Sequence, residues 1–111
     1  MAEETFRCET SEQNGWSVWS VAGRLDRMTA PEAEEEAGKV FGKAEKFAID
    51  MAGLEYLSSA GIRVLLRLLK AAKSKGKAFA ICAPEGMVKT ILQESRVDML
   101  ATIYPTIDKL P

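Results

Sequence analysis

The sequence contains no histidine. That absence removes the residue that most often serves as a general base near neutral pH, the commonest zinc ligand, and every catalytic triad built on imidazole. Cysteine is scarce too. Cys8 and Cys82 stand far apart, with no Cys-x-x-Cys spacing and no companions for a metal set. A single potential pair makes no disulfide framework, so both read as small buried apolar residues of a chain in a reducing, cytoplasmic setting. Long apolar runs are missing: Arg63, Arg67 and Lys70 interrupt the greasiest stretch, and no membrane insertion is expected. The opening residues Met1 to Arg7 are acidic and lack the basic and apolar regions of a signal peptide. No GxxxxGK[ST], GxGxxG or GxSxG occurs, since Leu57 and Gly61 bracket Ser59 asymmetrically. Asp26, Asp50 and Glu55 could meet at one rim, but acids without a defined cleft are a thin basis for glycosidase chemistry. A non-enzyme with no metal and no cofactor is expected.

What is present suits one folded domain over residues 1–111. At 12.2 kDa and 47% apolar residues the chain can bury a real core, and 28% charged residues with a net charge of −1 exclude a disordered chain or a bulk polycation. The neutral total conceals an asymmetry. Residues 1–55 hold six Lys/Arg against twelve Asp/Glu, and residues 56–111 hold nine against four. The basic residues between 59 and 75 lack interleaved aromatics and read as a solvated flank, so nucleic acid is not an expected partner.

Residues 5–10 alternate, with Phe6 and Cys8 on one side and Arg7 and Glu9 on the other, which predicts a half-buried strand. Asn14-Gly15 marks a turn, and residues 16–22 form a second strand of the same hairpin, joined by a loop over residues 11–15. Thr29 and Glu32 have capping-box spacing before a helix that carries Ala33, Ala37, Val40 and Phe41 on one face and stops near Gly42. Residues 47–51 are a short strand, and Gly53 opens a loop through Leu57. The longest helix spans about residues 59–75, with Ile62, Leu65, Leu66, Leu69 and Ala72 inward, Gly76 as its stop, and Lys73 and Lys75 against the negative end of its dipole. A strand at residues 77–82 is followed by a helix from Pro84 carrying Met87, Val88, Ile91 and Leu92. A short strand at residues 102–104 and a short helical or frayed tail complete the chain. The order predicts an α/β fold: a mixed sheet of four to five strands, the first antiparallel and the rest mostly parallel, with helices packed against it. Loops 23–29, 52–59 and 83–86 then leave the carboxyl ends of the parallel strands, where open α/β sheets place their sites.

Two serines stand where a strand exit becomes the start of an apolar helix: Leu57-Ser58-Ser59-Ala60-Gly61. Either can be an N-cap. Equally, one hydroxyl can accept a phosphoryl group, which the free N–H groups and positive dipole end of the helix would tolerate. The two readings coexist if Ser58 caps and Ser59 points outward. Gly61 costs about 1 kcal/mol relative to Ala within a helix, which a close approach by a partner or by the preceding loop would justify. Asp26, in Gly23-Arg24-Leu25-Asp26-Arg27-Met28-Thr29, is either a loop carboxylate that supports the next helix or a partner contact.

In this order and spacing, Gly23-Arg24-Leu25-Asp26 resembles the G-x-L-D motif that follows the second strand of the STAS domain, the fold of bacterial anti-sigma factor antagonists. Ile49-Asp50-Met51-x-x-Leu54-x-x-Leu57-Ser58-Ser59-Ala60-Gly61 is similar to that family's strand and loop carrying a phosphorylatable serine. The resemblance covers nearly the whole chain. Where the sporulation-type pattern has Asp and a second hydroxyl residue, this chain has Ser58 and Ala60. The resemblance implies a partner switch that regulates transcription. Unphosphorylated, such proteins bind an anti-sigma factor that is also a serine kinase; phosphorylation from ATP releases them, and a phosphoserine phosphatase resets them. It implies Ser59 as acceptor, with Ser58 competing, and a partner surface of Asp26, Arg27, Leu57, Ser58, Ser59, Ala60, Gly61, Pro84 and Gly86. Gly23 and Asp50 would be structural at that surface, and the chain a monomer or weak dimer. The alternative within the same family is a non-switching interaction module, such as a lipid-transport subunit or scaffold component, in which the serine is only a cap.

Overall fold

Alternation of large apolar residues with small or polar ones along the central strands gives the sheet two unlike faces. The computed structural model describes residues 6–111; the predicted start of the first strand at Thr5, and the acidic opening, lie outside them. Five strands form one sheet in chain order: β1 (Phe6–Gln13), β2 (Trp16–Leu25), β3 (Lys46–Leu57), β4 (Ala78–Cys82) and β5 (Thr102–Tyr104). β1 is antiparallel to β2, and every other pairing is parallel, as expected. Trp19, Val21, Phe47, Ile49 and Ile81 face three helices, α1 (Ala30–Lys43), α2 (Ser59–Lys75) and α3 (Gly86–Glu94), which bury Ala37, Leu65 and Leu92 among others against them.

The opposite face carries Val18, Ala48, Ala80 and Cys82, small residues covered by the C-terminal segment through Leu110, Ile107 and Tyr104. Two side chains near the hairpin tie that segment down. Asn14 Nδ2 donates to the Leu110 carbonyl at 2.8 Å, and Trp16 Nε1 donates to the Pro111 carbonyl at 3.1 Å. The tail is therefore docked, with one turn of 3₁₀ helix at Ile107–Lys109.

Several boundaries differ from the sequence expectations, for identifiable reasons. The hairpin has a two-residue turn instead of a longer loop: Gln13 pairs with Trp16, and Asn14 and Gly15 both have positive φ, 54° and 86°. That is the conformation an Asn-Gly turn favours, and the polar Ser11, Glu12 and Gln13 simply continue an edge strand that needs no apolar pattern. β3 runs to Leu57, so residues 53–57 are strand and not loop. Its inward residues Met51, Leu54 and Leu57 recur every third position, which conceals a strand. Two bulges restore the parity: between Ser20 and Ala22, and again between Gly23 and Arg24, β3 holds one residue more than β2. α1 shows no capping box, because Thr29 makes no side-chain cap hydrogen bond, and its last turn passes Gly42 to end at Lys43. On α2 the inward stripe is rotated toward Val64 and Leu68, leaving Ile62 and Leu66 half-buried; Gly76 closes the helix in the left-handed region at φ 69°. α3 begins at Gly86, after Pro84, and Met87 points out at 50% exposure.

The docked tail makes a prediction. Burial pushes the Cys82 thiol up to about 11, with the Asp50 carboxylate adding to the effect. In a Cys8→Ser background, Cys82 should be inert to a disulfide reagent at about pH 8. Ending the chain at Pro105 should raise its reaction rate by about tenfold or more. Equal protection in the shortened chain would show that the tail does not cover this face.

Candidate functional site

β2 and β3 end level with each other, Leu25 pairing with Leu57, and the chain leaves both strands at one rim. The Leu25 carbonyl oxygen accepts the Ser58 N–H at 3.0 Å, tying the two exits together. Immediately afterward the Ser58 hydroxyl accepts the Gly61 N–H at 3.4 Å and caps α2. Ser59, the first residue of α2, is exposed. Ser58 is thus occupied as the cap, whereas the amides of Ser59 and Ala60 belong to a first turn that offers them no intrahelical acceptor. Gly61 is explained by the same clamp. A Cβ on it would lie 2.6 Å from Leu57 Cδ1, 2.8 Å from the Leu25 oxygen and 2.9 Å from Leu25 Cγ. The close approach is by the preceding strands of the same chain, and only a glycine leaves room for it.

The turn after β2 is built on Asp26. Its Oδ1 accepts the Met28 N–H at 2.9 Å and the Thr29 N–H at 3.1 Å, an Asx turn that closes the loop just ahead of α1, whose N-cap Thr29 makes no side-chain cap hydrogen bond. Thr29 is buried and acts on the backbone behind it. Its hydroxyl donates to the Arg24 carbonyl at 2.8 Å and accepts the Asp26 N–H at 2.9 Å. The Thr29 amide above all, helped by Met28 and the Arg24 guanidinium, holds the Asp26 carboxyl below its ordinary 3.8. Arg24 Nε lies 3.4 Å from Asp26 Oδ2, and its guanidinium stacks 4.3 Å over the Tyr56 ring. Gly23 has φ 89°, a left-handed conformation that suits glycine at the second bulge. Arg27 and Met28 project from the turn, Met28 at 80% exposure.

The rim is not level across the whole sheet. β4 ends with Cys82 opposite Asp50, seven residues short of the end of β3. The segment with Pro84 and Gly86 therefore starts low on β3, and Pro84 is buried. The far end of α3 reaches the serines instead. Ile91, Glu94 and Ser95 join Tyr56, Leu57, Ser58, Ser59 and Ile62 around an open groove of about 530 Å³. Asp50 likewise sits away from the serines, accepting from the Ser20 hydroxyl at 3.1 Å and the Ala52 amide at 3.1 Å beside the first bulge. Asp26, Asp50 and Glu55 do not form an acid cluster, and no group able to hold a metal occurs among the described residues. The structure thus brings together Asp26, Arg27, Leu57, Ser58, Ser59, Ala60 and Gly61, and sets Asp50, Pro84 and Gly86 apart. Sequence reasoning missed Met28 and Glu94. An unpaired methionine in a polar turn was the one available signal.

Comparison with known proteins agrees with this fold. The STAS domain family profile matches residues 7–110. An anti-sigma-F factor antagonist, RsfB, of Mycobacterium tuberculosis is 31% identical over 65 residues, 58% of this chain. The chain spans about half the length of that curated relative (53%). Among solved structures, an anti-sigma factor antagonist from Mycobacterium paratuberculosis superposes with TM-score 0.87 at 27% identity, covering 96% of this chain and 92% of that one. A putative anti-sigma factor antagonist from Thermotoga maritima shares the fold, with TM-score 0.84 at 20% identity over 92% and 89% of the two chains. Among the described residues no helix is long and apolar enough to cross a membrane.

Two measurements test the clamp. Gly61→Ala should destabilise the domain by about 1–3 kcal/mol through overpacking, although Ala is the better helix former; a urea midpoint at or above wild type would refute the close approach. Asp26→Asn should be less stable than wild type at neutral pH. Because the folded carboxyl titrates below 3.8, its contribution is complete above that value and is lost as pH falls through the folded-state value. The gap between the two proteins should therefore be constant near neutrality and close in acid. A gap that persists there would assign it to something other than the carboxylate charge.

Proposed function

The chain belongs to the STAS domain family, and from that premise we propose that it is an anti-sigma factor antagonist working by partner switching. Unphosphorylated, it binds an anti-sigma factor that is also a serine kinase, releasing the sigma factor in the bacterial cytoplasm. The kinase transfers the γ-phosphoryl group of ATP to Ser59 Oγ: the Oγ–P bond forms, the bond to the ADP oxygen breaks, and the hydroxyl proton passes to the kinase. A phosphoserine phosphatase reverses the modification. The domain, a monomer or weak dimer on this reading, supplies a surface and an acceptor and no catalytic group.

The observation that carries this reading is the division of labour between the two serines. Ser58 is committed as the helix cap, while Ser59 stands exposed beside it, within the same rim as the Asp26 turn and the projecting Met28. Asp26 contributes by holding that turn in shape; Arg27, Leu57, Ala60 and Gly61 complete the surface. A phosphate on Ser59 brings about −1.5 to −2 charges next to Glu94. The helix amides stabilise it within the free protein, but a partner seated on Met28 and the groove would have to desolvate it. Dissociation follows unless the partner offers an arginine cluster.

The test is incubation with the cognate anti-sigma kinase and ATP, followed by mass spectrometry and binding measurements. Phosphate should appear on Ser59. Ser59→Ala should stay bound in the presence of ATP, and Ser59→Asp should bind about tenfold or more weakly, equivalent to at least about 1.4 kcal/mol. Ser58→Ala should remain a substrate while losing about 1 kcal/mol of stability as a cap is removed. Phosphate on Ser58, or none at all, would overturn the assignment. Recovery of transporter subunits in place of a kinase would point to the non-switching module.

A further inference from the structure

The second half of α2 carries a feature that the switch does not use. A groove of about 440 Å³ lies between α2 and the turn at residues 97–100. Leu66, Leu69 and Leu100 form its floor, and no acidic residue lines it. Met99 and Leu100 stand 74% and 51% exposed, two of the four large apolar side chains on the surface of the described residues. The other two lie elsewhere, Met28 in the turn before α1 and Met87 on α3. Arg63, Lys70 and Lys73 border the groove without an ion pair among the described residues, whereas Arg67 is engaged with Glu34 of α1 at 2.9 Å.

We propose that this groove docks an acidic amphipathic helix of a partner protein, with aliphatic side chains on the leucine floor and carboxylates against Arg63, Lys70 and Lys73. The charge pattern selects this occupant. The basic border runs from residue 63 to residue 73, about 15 Å along α2, which matches some three turns of a docked helix read through its i, i+3, i+4 and i+7 positions. A flat anionic membrane laid on α2 would also meet the exposed Glu32 and Glu35 of the adjoining α1, whereas a narrow helix avoids them. A second copy of this chain meeting the groove through its own equivalent groove would set Arg63, Lys70 and Lys73 against the same cations. The site requires neither Ser59 nor its modification.

The probe is a synthetic helical peptide of about fourteen residues with a leucine stripe flanked by glutamates, compared with its lysine-for-glutamate counterpart and with phosphatidylglycerol vesicles. In amide NMR spectra of the full chain, the acidic peptide should shift resonances of residues 63–73 and 97–100 and leave those of Asp26 and Ser59 in place. Affinity should fall with added salt. It should drop about tenfold, or about 1.4 kcal/mol, in the exposed double variant Lys70→Glu with Lys73→Glu. Leu100→Ser should weaken it independently of charge, and Ser59→Asp should leave it unchanged, which separates failure here from failure of the switch. Absence of shifts at millimolar peptide, or equal binding of the lysine peptide, would overturn the proposal. Vesicle binding that depends on Lys70 and Lys73, without peptide binding, would replace the helix by a lipid surface.

Discussion

The carbonyl oxygen of Leu25 sits where two strands end and a helix begins, and the geometry of the rim depends on it. It accepts the Ser58 N–H at 3.0 Å, and the Cα of Gly61 packs so close that a Cβ there would come within 2.8 Å of it. One atom thus fixes the separation of the β2 and β3 exits and the start of α2. The Asp26 turn begins at the next residue, so its orientation is fixed by the same strand end. Because α2 is 17 residues long and packs Val64, Leu65 and Leu68 into the core, an error at its first turn would propagate through the layer of helices. The glycine is therefore a packing requirement before it is anything else, and it stands next to the residues that give the surface its chemistry.

The two bulges in β3 are the second constraint, and they explain where the sequence was legible and where it was not. Element types and strand directions could be read because hydrophobic periodicity is strong in β2, α1 and α2, and because strand–helix–strand order leaves few topologies. The far half of β3 could not. Met51, Leu54 and Leu57 recur at a spacing that fits neither strand nor helix until one extra residue is inserted twice, and only the partner strand reveals those insertions. The candidate site inherits that blind spot. If β3 ended at Met51, loops 23–29, 52–59 and 83–86 would be level, with Pro84 and Gly86 beside the serines. With β3 extended, the far end of α3 takes their place and brings Glu94 and Ser95 to the groove. Ser58, Ser59 and Gly61 were legible because cap chemistry and the cost of a helical glycine are local. The role of Thr29 was not, since its hydroxyl reaches back to Arg24, outside the helix that its spacing suggests it caps.

The opposed charges of the two halves of the chain take spatial form at the α1–α2 seam. The acidic run of α1, with Glu34 and Glu36 half-buried and Glu35 exposed, lies beside the basic flank of α2, and Arg67 bridges them. An exposed pair of this kind stabilises little, about 0–1 kcal/mol. Its consequence is directional: the acids of α1 are partly answered at the seam, while the cations farther round α2 are left for an outside partner. A chain with a net charge of −1 can therefore present a basic groove without being a basic protein.

Placing the acceptor serine next to the cap, and not at it, has a physical logic under the proposed switch. A phosphate on the capping hydroxyl would turn Oγ, the acceptor of the Gly61 N–H, into a bridging ester oxygen and place its bulk and charge beside the clamp at Leu25, so modification would bear on the fold along with the interface. One residue later, the phosphate stands at the positive end of the helix, whose first-turn amides lack intrahelical acceptors, and leaves the Ser58–Gly61 bond intact. The free protein then bears its modified state with little strain, and the cost of phosphorylation falls on whatever partner must cover it. A switch that has to be reset by a phosphatase needs this asymmetry, because a domain unfolded by its own modification could not be returned unchanged to the binding state.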